Sequence, residues 1–311
     1  MQSKIVILGT GGTIAGTAAS TTDTVGYRSA QLGVSQLLAA VPPLATLAAG
    51  AIECEQVAQL DSKDMDHATW QRLAQRCAHH LSRADVAGVV ITHGTDTLEE
   101  TAYFLHRVLG AAKPLVLTAA MRPATSLQAD GPQNLLDAVT VAGHPMAHGV
   151  LVAMAGRVWA GAEVRKVHSQ RLDAFDAGDA GPLAVMEAGQ PRWWRAAPPC
   201  DAVGLLRIQR DAADWPRVEM VVNHVGAGGA WVGALVAQGV HGIVAAGTGN
   251  GTLHRDLEAA LLRAQAQGVR VLRASRCAAG PVLGNEPLRS SGNLSAVQAR
   301  IELLLELLGA A

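Results

Sequence analysis

Short runs of β-branched and aliphatic residues recur along this chain, and most are followed by a helical pattern. "KIVILGT" (4–10) is the first. "VAGVVIT" (86–92) precedes Leu98, Ala102, Leu105 and Leu109 at helical spacing. "KPLVLTA" (113–119) precedes "NLLDAVTVA" (134–142), and "GVLVAMAG" (149–156) follows. Strands that read as continuous apolar runs and alternate with helices predict βαβ units around a buried parallel sheet. Between about Gln190 and Pro216 the texture changes to "QPRWWRAAPPC" and "RDAADWPR", the composition of an irregular crossover. The alternation then restarts with "RVEMVVNHV" (217–225), "AWVGALVAQG" (230–239), "GIVAAGTG" (242–249), "LHRDLEAALLRAQAQG" (253–268) and "VRVLRAS" (269–275). It closes on "LSAVQARIELLLELL" (294–308). The expected fold class is therefore α/β. A larger N-terminal domain, residues 1–190, has a mainly parallel sheet flanked by helices. Residues 191–216 form a linker, and residues 217–311 form a smaller C-terminal α/β domain.

Composition narrows the classes open to such a fold. Apolar residues make up 49% and charged residues 16% of 311 positions, enough for large cores and too apolar for disorder. The formal charge is 25 − 26 = −1, which gives no footing for a nucleic-acid partner or a polybasic membrane contact. Cys54, Cys77, Cys200 and Cys277 form no C-x-x-C pair, and the expectation is four reduced, buried thiols. "MQSKIVILGT" runs straight from a short apolar stretch into glycines and does not read as a signal peptide. A soluble, cytoplasmic protein without a membrane partner is expected.

In sheets of this class ligands sit outside the carboxyl ends of the strands, so the residues just after each run matter most. After the first run comes "GTGGTIAG", Gly9 to Gly16. The dinucleotide fingerprint fails because its sixth position is Ile14. The phosphate-loop pattern fails because Thr17 stands where Lys is needed. What remains is either a tight turn with solvated threonines or a close backbone approach that presents Thr10 and Thr13.

After the run at 86–92 comes "HGTDTLEE". Thr97 followed by Glu100 fits the capping box S/T-x-x-E, so Thr97 is the expected helix cap. Thr95 and Asp96 are left over at the strand end. Either they bond to turn amides, as short polar side chains often do, or they carry chemistry. A threonine hydroxyl needs an adjacent base to become a nucleophile, and Lys166 in "EVRKVHS" is positioned in the chain to supply one. Taken alone, a lysine such as Lys166 is more often a solvated surface charge. His79 and His80 are adjacent but lack H-E-x-x-H spacing, which leaves a zinc site without support.

Together "LGTGGTIAG" and "VVITHGTDTLEETAYFL" closely resemble the two signature segments of the bacterial-type L-asparaginases, a family of threonine amidohydrolases. "GYRSAQLGVSQLL", "QVAQLDSKDMDHATW", "AAMRPATSLQADGPQNLLDAV", "GIVAAGTGNGTL" and "SGNLSAVQARIELLL" resemble further family segments in family order, so nearly the whole chain is covered. The resemblance implies a two-domain fold, a homotetramer built from tight dimers, and hydrolysis of L-asparagine to L-aspartate and ammonia without metal or organic cofactor. It implies Thr13 as nucleophile, with Tyr27 on a lid assisting it. It implies a second group of Thr95, Asp96 and Lys166. Ser62 would hold the substrate carboxylate and Asp96 its ammonium. Asn250 and an acidic residue of the neighbouring subunit would complete the pocket, with Glu286 the candidate for that carboxylate.

This chain departs from the family pattern in places. Position 63 is Lys where many members carry Gln beside the pocket serine. A cation there would repel a substrate ammonium or shift preference between asparagine and glutamine. The stretch "CAAGPVLGNEPLRSSG" around Glu286 reads as shortened, and no disulfide of the secreted members is expected. Two competing readings remain. One is a related amidohydrolase that prefers glutamine, D-asparagine, or an amide linked to transfer RNA or a peptide. The other is a non-catalytic amino-acid-binding protein, which would keep Asp96 and Ser62 without needing Thr13, Thr95 and Lys166 together.

Overall fold

The computed structural model describes residues 3–44, 52–285 and 287–310. They fall into two compact units, Met1–Leu206 and Arg207–Ala311. In the larger unit the chain runs β1 (Lys4–Gly11), α1 (Val34–Ala39), β2 (Ile52–Leu60), α2 (His67–Ser82), β3 (Val86–Thr92), α3 (Leu98–Leu109), β4 (Leu115–Thr118) and α4 (Gly131–Ala142). Strands β5 (Val150–Met154), β6 (Arg157–Ala160), β7 (Arg165–Lys166), β8 (Phe175–Asp176), β9 (Ala184–Glu187) and β10 (Gln190–Trp193) follow.

The eight-stranded sheet has the order β10-β9-β6-β5-β4-β3-β1-β2. Strands β5, β4, β3, β1 and β2 pair in parallel. β6, β9 and β10 extend the sheet antiparallel. This is the larger α/β unit with a mainly parallel sheet that the alternation predicts. From β1 the chain crosses to β2 on one side, and from β3 it moves away through β4 and β5 on the other. The strand order therefore reverses between β1 and β3, the position where such sheets open a crevice at their carboxyl ends. The hydroxyl of Thr10, near the end of β1, donates to the carbonyl of Thr92 at the end of β3 across 2.9 Å. That bond pins the two strand ends together.

Burial on both faces explains the uninterrupted apolar runs. Ile5, Ile7, Val90 and Val116 pack with α1 and α4 residues such as Leu37 and Leu135. The alternate residues Val6, Leu8, Val89 and Ile91 project to the other face and are just as buried. There Trp70 of α2 stacks on Phe104 of α3 with ring centroids 4.7 Å apart. Periodicity alone does not mark β2. It is the sheet's edge, half exposed and carrying Glu53, Glu55 and Gln56 among its apolar residues.

Residues 191–193, expected to begin the linker, instead belong to β10, where Pro191 lies opposite Met186. An edge strand tolerates proline because one of its two sides has no ladder to donate to. Trp193 packs against the core, and its indole N–H donates to His144 Nδ1 at 3.1 Å. The cysteines also differ from expectation. Only Cys77 is buried, while Cys54 and Cys277 are exposed and Cys200 is half-buried. Burial pushes the Cys77 thiol well above its ordinary range.

The smaller unit contains β11 (Val218–Val222), α5 (Ala230–Ala237), β12 (Gly242–Gly247), α6 (Arg255–Ala266), β13 (Arg270–Ser275) and α7 (Ala296–Gly309). Its three strands pair in parallel in the order β11-β12-β13. Ile243 and Ala245 pack with Val232 of α5 and Leu257 and Leu261 of α6. At Gly242 an added Cβ would meet Leu303 of α7 at 2.9 Å, so that helix lies directly against β12. Ser295 caps α7 with a true capping box: its hydroxyl accepts from Gln298 N–H, and the Gln298 side chain accepts from Ser295 N–H. Among the described residues no helix is long and apolar enough to cross a membrane.

Candidate active site

Three turns meet at the carboxyl edge of the sheet in the larger unit. The first follows β1, the second follows β2, and the third follows β3. Their glycines let the backbones touch. Gly12 has φ of 80°, and a Cβ there would lie 2.4 Å from the Gly94 backbone. A Cβ on Gly94 would lie 2.5 Å from the Ser62 hydroxyl oxygen. Of the two readings of "GTGGTIAG", the structure therefore has the close backbone approach.

On the first turn, Thr13 is buried and its hydroxyl lies 2.8 Å from the Tyr27 hydroxyl. On the third, Thr95 is buried, and the Lys166 ammonium donates to its hydroxyl at 2.9 Å. The same ammonium donates to an Asp96 carboxylate oxygen at 2.5 Å. The Lys166 side chain is 16% exposed, so it is a largely shielded cation paired by Asp96 rather than a fully solvated surface charge. Ser62 sits on the second turn, 2% exposed. Its oxygen accepts from Asp96 N–H at 3.2 Å, which leaves its proton to donate elsewhere.

Thr97 stands at the N-cap position of α3 but does not act as the expected cap. Its φ of −122° and ψ of 18° lie outside the extended region that folds a cap side chain back over the first turn, and no such bond forms. Its hydroxyl donates instead to the Ser62 carbonyl at 2.7 Å. The residue thus joins the second turn to the third. Together with Asp96 N–H it holds Ser62 at both its backbone and its side chain.

Lys63 does not project toward this group as a free cation. Its ammonium pairs with Asp61 at 2.9 Å and Asp64 at 3.5 Å, and its side chain is 62% exposed. Asn250 lies in the smaller unit, where its side chain clamps Leu283: it accepts from Leu283 N–H at 2.7 Å and donates to the Leu283 carbonyl at 3.2 Å. Glu286 lies outside the described residues. Among those residues no cluster of three or more His, Cys, Asp or Glu side chains is placed to hold a metal ion.

Sequence reasoning does not single out the support behind the third turn. His93 is fully buried, with Nδ1 2.7 Å from the Gly94 carbonyl and Nε2 3.0 Å from the Thr101 hydroxyl. A carbonyl only accepts, so Nδ1 carries the proton and Nε2 accepts from Thr101. Trp70 Nε1 donates to the same Thr101 oxygen at 2.9 Å. Burial pushes His93 down to about 4, which keeps the ring neutral and this chain of bonds intact near neutral pH. The available signal was a histidine directly before the glycine of "THGTD" with a threonine eight residues on, one helix turn into α3.

The sheet order and three converging turns place this molecule among α/β proteins with a threonine-based site at the switch point of a parallel sheet. The family model "Asparaginase, N-terminal" matches residues 4–198, and "Glutaminase/Asparaginase C-terminal domain" matches residues 217–309. The chain belongs to the asparaginase family. It is 38% identical over 280 residues to a glutaminase-asparaginase of Pseudomonas fluorescens biotype A, covering 89% of this chain and 76% of that protein. It is 36% identical over 314 residues to L-asparaginase 2 of Bacillus subtilis (strain 168), covering 98% and 82%. Its fold is similar to the crystal structure of a probable cytoplasmic L-asparaginase from Campylobacter jejuni. That match has a TM-score of 0.92 and 36% identity, over 98% of this chain and 95% of that one.

Proposed function

We propose that this chain hydrolyses the side-chain amide of L-asparagine to give L-aspartate and ammonia. The observation that carries the reading is the pair of threonine hydroxyls on touching turns, each hydrogen-bonded to an ionisable side chain. Relatives named L-asparaginase and glutaminase-asparaginase support the substrate class.

In this reading Ser62 donates its free proton to the substrate α-carboxylate, and Asp96 pairs with the α-ammonium. Thr13 attacks the amide carbonyl carbon and gives its proton to the Tyr27 oxygen as the phenol releases its own proton toward the departing nitrogen. Backbone N–H groups of the turns stabilise the tetrahedral oxyanion, where one donor is worth roughly 3–4 kcal/mol of barrier. The C–N bond then breaks, and nitrogen leaves as ammonia with the returned proton. Lys166 gives a proton to the Asp96 carboxylate beside it and, as the neutral amine, takes the proton that an attacking water passes through the Thr95 hydroxyl; the water oxygen adds to the acyl ester on Thr13, the ester C–O bond breaks, and aspartate is freed. No metal or organic cofactor enters these steps. Asn250 and an acidic residue of a neighbouring copy, with Glu286 the candidate, complete the pocket within a homotetramer. Free thiols at exposed Cys54 and Cys277 fit a reducing, cytoplasmic setting.

Thr13→Ala and Thr95→Ala test the reading. Each is expected to stay folded by circular dichroism and to lose ammonia release from asparagine by on the order of a thousandfold. Near-full activity in both variants would sink the proposal. Steady-state rates on glutamine and D-asparagine, measured alongside, decide between this substrate and its close analogues.

A further inference from the structure

The chain runs out from the Thr13 turn to Tyr27 and back again, and its two limbs are anchored differently. The returning limb bonds to the Thr13 turn itself. Ala30 N–H donates to the Gly12 carbonyl at 3.0 Å, and the Gln31 and Leu32 N–H groups both donate to the Ala15 carbonyl. The outgoing limb, residues 16–21, rests instead on the loop between β4 and α4, residues 119–130. Ala124 N–H donates to the Gly16 carbonyl at 2.9 Å, and Leu127 N–H donates to the Thr21 carbonyl at 3.1 Å. Ala18 N–H donates to the Thr125 hydroxyl oxygen at 2.9 Å. Thr17 and Arg28 exchange both backbone bonds at 2.9 Å, so the placement of the outgoing limb carries over to Tyr27, the residue before Arg28.

Asp130 holds that loop. It stands at the N-cap position of α4, where an aspartate ordinarily accepts from the first helical N–H groups, yet it makes no such bond. One carboxylate oxygen accepts instead from Met121 N–H at 3.0 Å, and the other from Arg122 N–H at 2.9 Å. These charge-assisted bonds close the loop onto the helix start, with an oxygen for each amide. Asn134, one turn into α4 and 2% exposed, donates to the same carboxylate at 3.1 Å and to the Ala119 carbonyl at 2.9 Å. Its own oxygen accepts from Ala155 N–H at 3.0 Å. The bonds from Ser126 N–H to Pro123 and from Ala129 N–H to Ser126 lie within the loop. A further tie is Arg122, whose guanidinium donates to the carbonyl of exposed Gln170 at 2.9 Å.

We infer that Asp130 is a positioning residue. Its carboxylate is diverted from capping α4 to clamp the start of the 119–130 loop, and the loop sets the limb that brings the Tyr27 hydroxyl to Thr13. The clamp also lies against the Thr13 turn: a Cβ on Gly131, the residue after Asp130, would meet Ile14 at 2.8 Å and Ala120 at 3.4 Å. The kinetic consequence rests on the asparaginase reading, and the geometry does not.

The test compares wild type, Asp130→Ala, Asp130→Asn and Ser295→Ala, which removes a helix cap in the smaller unit. The first readout is kcat and KM for ammonia release from asparagine. The second, independent of turnover, is the rate at which trypsin cuts the native protein after Arg28, followed by peptide mass spectrometry. That cut requires the Thr17–Arg28 bridge to open. Asp130→Ala is expected to lower kcat by about 10- to 100-fold, because misplacing a catalytic group by an ångström has effects of that size. KM should stay within about twofold, since Ser62 and Asp96 are untouched, and the cut should come about tenfold faster. Asp130→Asn keeps one acceptor oxygen and loses the charge, so both readouts should fall between wild type and alanine. It carries the test if the alanine variant does not fold. Added to Tyr27→Phe, Asp130→Ala should lower kcat by less than about threefold further, because the hydroxyl it positions is already gone. The inference is overturned if either kcat or the Arg28 cut in the folded Asp130 variants stays within about twofold of wild type. It is equally overturned if the loss of kcat is undiminished in Tyr27→Phe, or if Ser295→Ala speeds the cut as much as Asp130→Ala. Should wild type release no ammonia from asparagine or any other amide, the functional reading fails. The cleavage rates then still decide whether Asp130 holds the Tyr27 limb.

Discussion

The turns after β1 and β3 each carry a buried threonine with a partner within 3 Å, but the partners differ in kind. Thr13 faces a phenol, a neutral group whose single proton can rotate between oxygens. Thr95 faces an ammonium locked between its hydroxyl and the Asp96 carboxylate. The Thr13 pair spans residues brought together by the short Thr17–Arg28 bridge. The Thr95 pair spans 71 positions of sequence and is braced by a helix start, a buried imidazole and a strand. A hydroxyl with one mobile neutral partner suits attack on a substrate. A hydroxyl in a fixed, charged frame suits orienting water and substrate charge. In the proposed mechanism this difference becomes a division of labour between two threonines.

The comparison can be broken most easily at the partners. Lys166→Met should lower kcat by on the order of a thousandfold, while Tyr27→Phe should lower it by about a hundredfold. Equal losses, measured as ammonia release at saturating asparagine, would remove the asymmetry. If the two turns act as one unit, the double variant should be scarcely worse than the weaker single one.

The bracing of the third turn has its own signature in pH. His93 titrates near 6.5 when unfolded and is pushed down to about 4 when folded, so the unfolded chain binds more protons between those values. Its contribution to stability is therefore complete above pH 6.5 and is lost as pH falls toward 4, by up to roughly 3 kcal/mol. Thermal melts of His93→Gln should show a shallower acid slope than wild type. The difference between the two proteins is the quantity to read, because Glu99, raised on folding, contributes with the opposite slope: stability fully present below pH 4.5 and lost as pH rises through about 7. A wild-type slope retained in His93→Gln would show that the imidazole is not the titrating brace.

Two smaller effects separate look-alike sequences. Thr97→Val should cost about 1 kcal/mol of stability and also raise KM, because its hydroxyl holds the Ser62 carbonyl. Ser295→Ala should cost a similar amount, about 1 kcal/mol, while leaving KM unchanged, because that hydroxyl caps α7. The smallest effect is expected at Lys63→Gln. With its ammonium already paired to Asp61 and Asp64, KM for asparagine should shift by less than about threefold. A larger shift would show that Lys63 reaches the substrate.

The strand–helix alternation was legible because buried parallel strands must be apolar throughout. Strand β3 spans the run read from sequence, Val86–Thr92. The edges were not legible: β2 mixes acids with apolar residues, and β10 carries a proline. Thr95 and Asp96 stood out as polar residues left over at a strand end, while Thr13 and Lys166 needed the family resemblance to be singled out. Their supports did not. His93, Thr101 and Trp70 read as ordinary core and helix residues, and only the fold brings 70, 93 and 101 into one chain of bonds. The helix starts show the same limit. "TLEE" and "SAVQ" both satisfy the capping pattern, yet only Ser295 caps, because backbone torsion at position 97 turns the hydroxyl toward Ser62.

The central claim is that the two threonines divide nucleophilic attack from deacylation. Acid-quenching the enzyme during turnover of asparagine, followed by peptide mass spectrometry, tests it directly. An aspartyl ester is expected on the peptide carrying Thr13, and it should accumulate in Lys166→Met, where deacylation is slowed. An ester on Thr95 instead, with none on Thr13, would contradict the account.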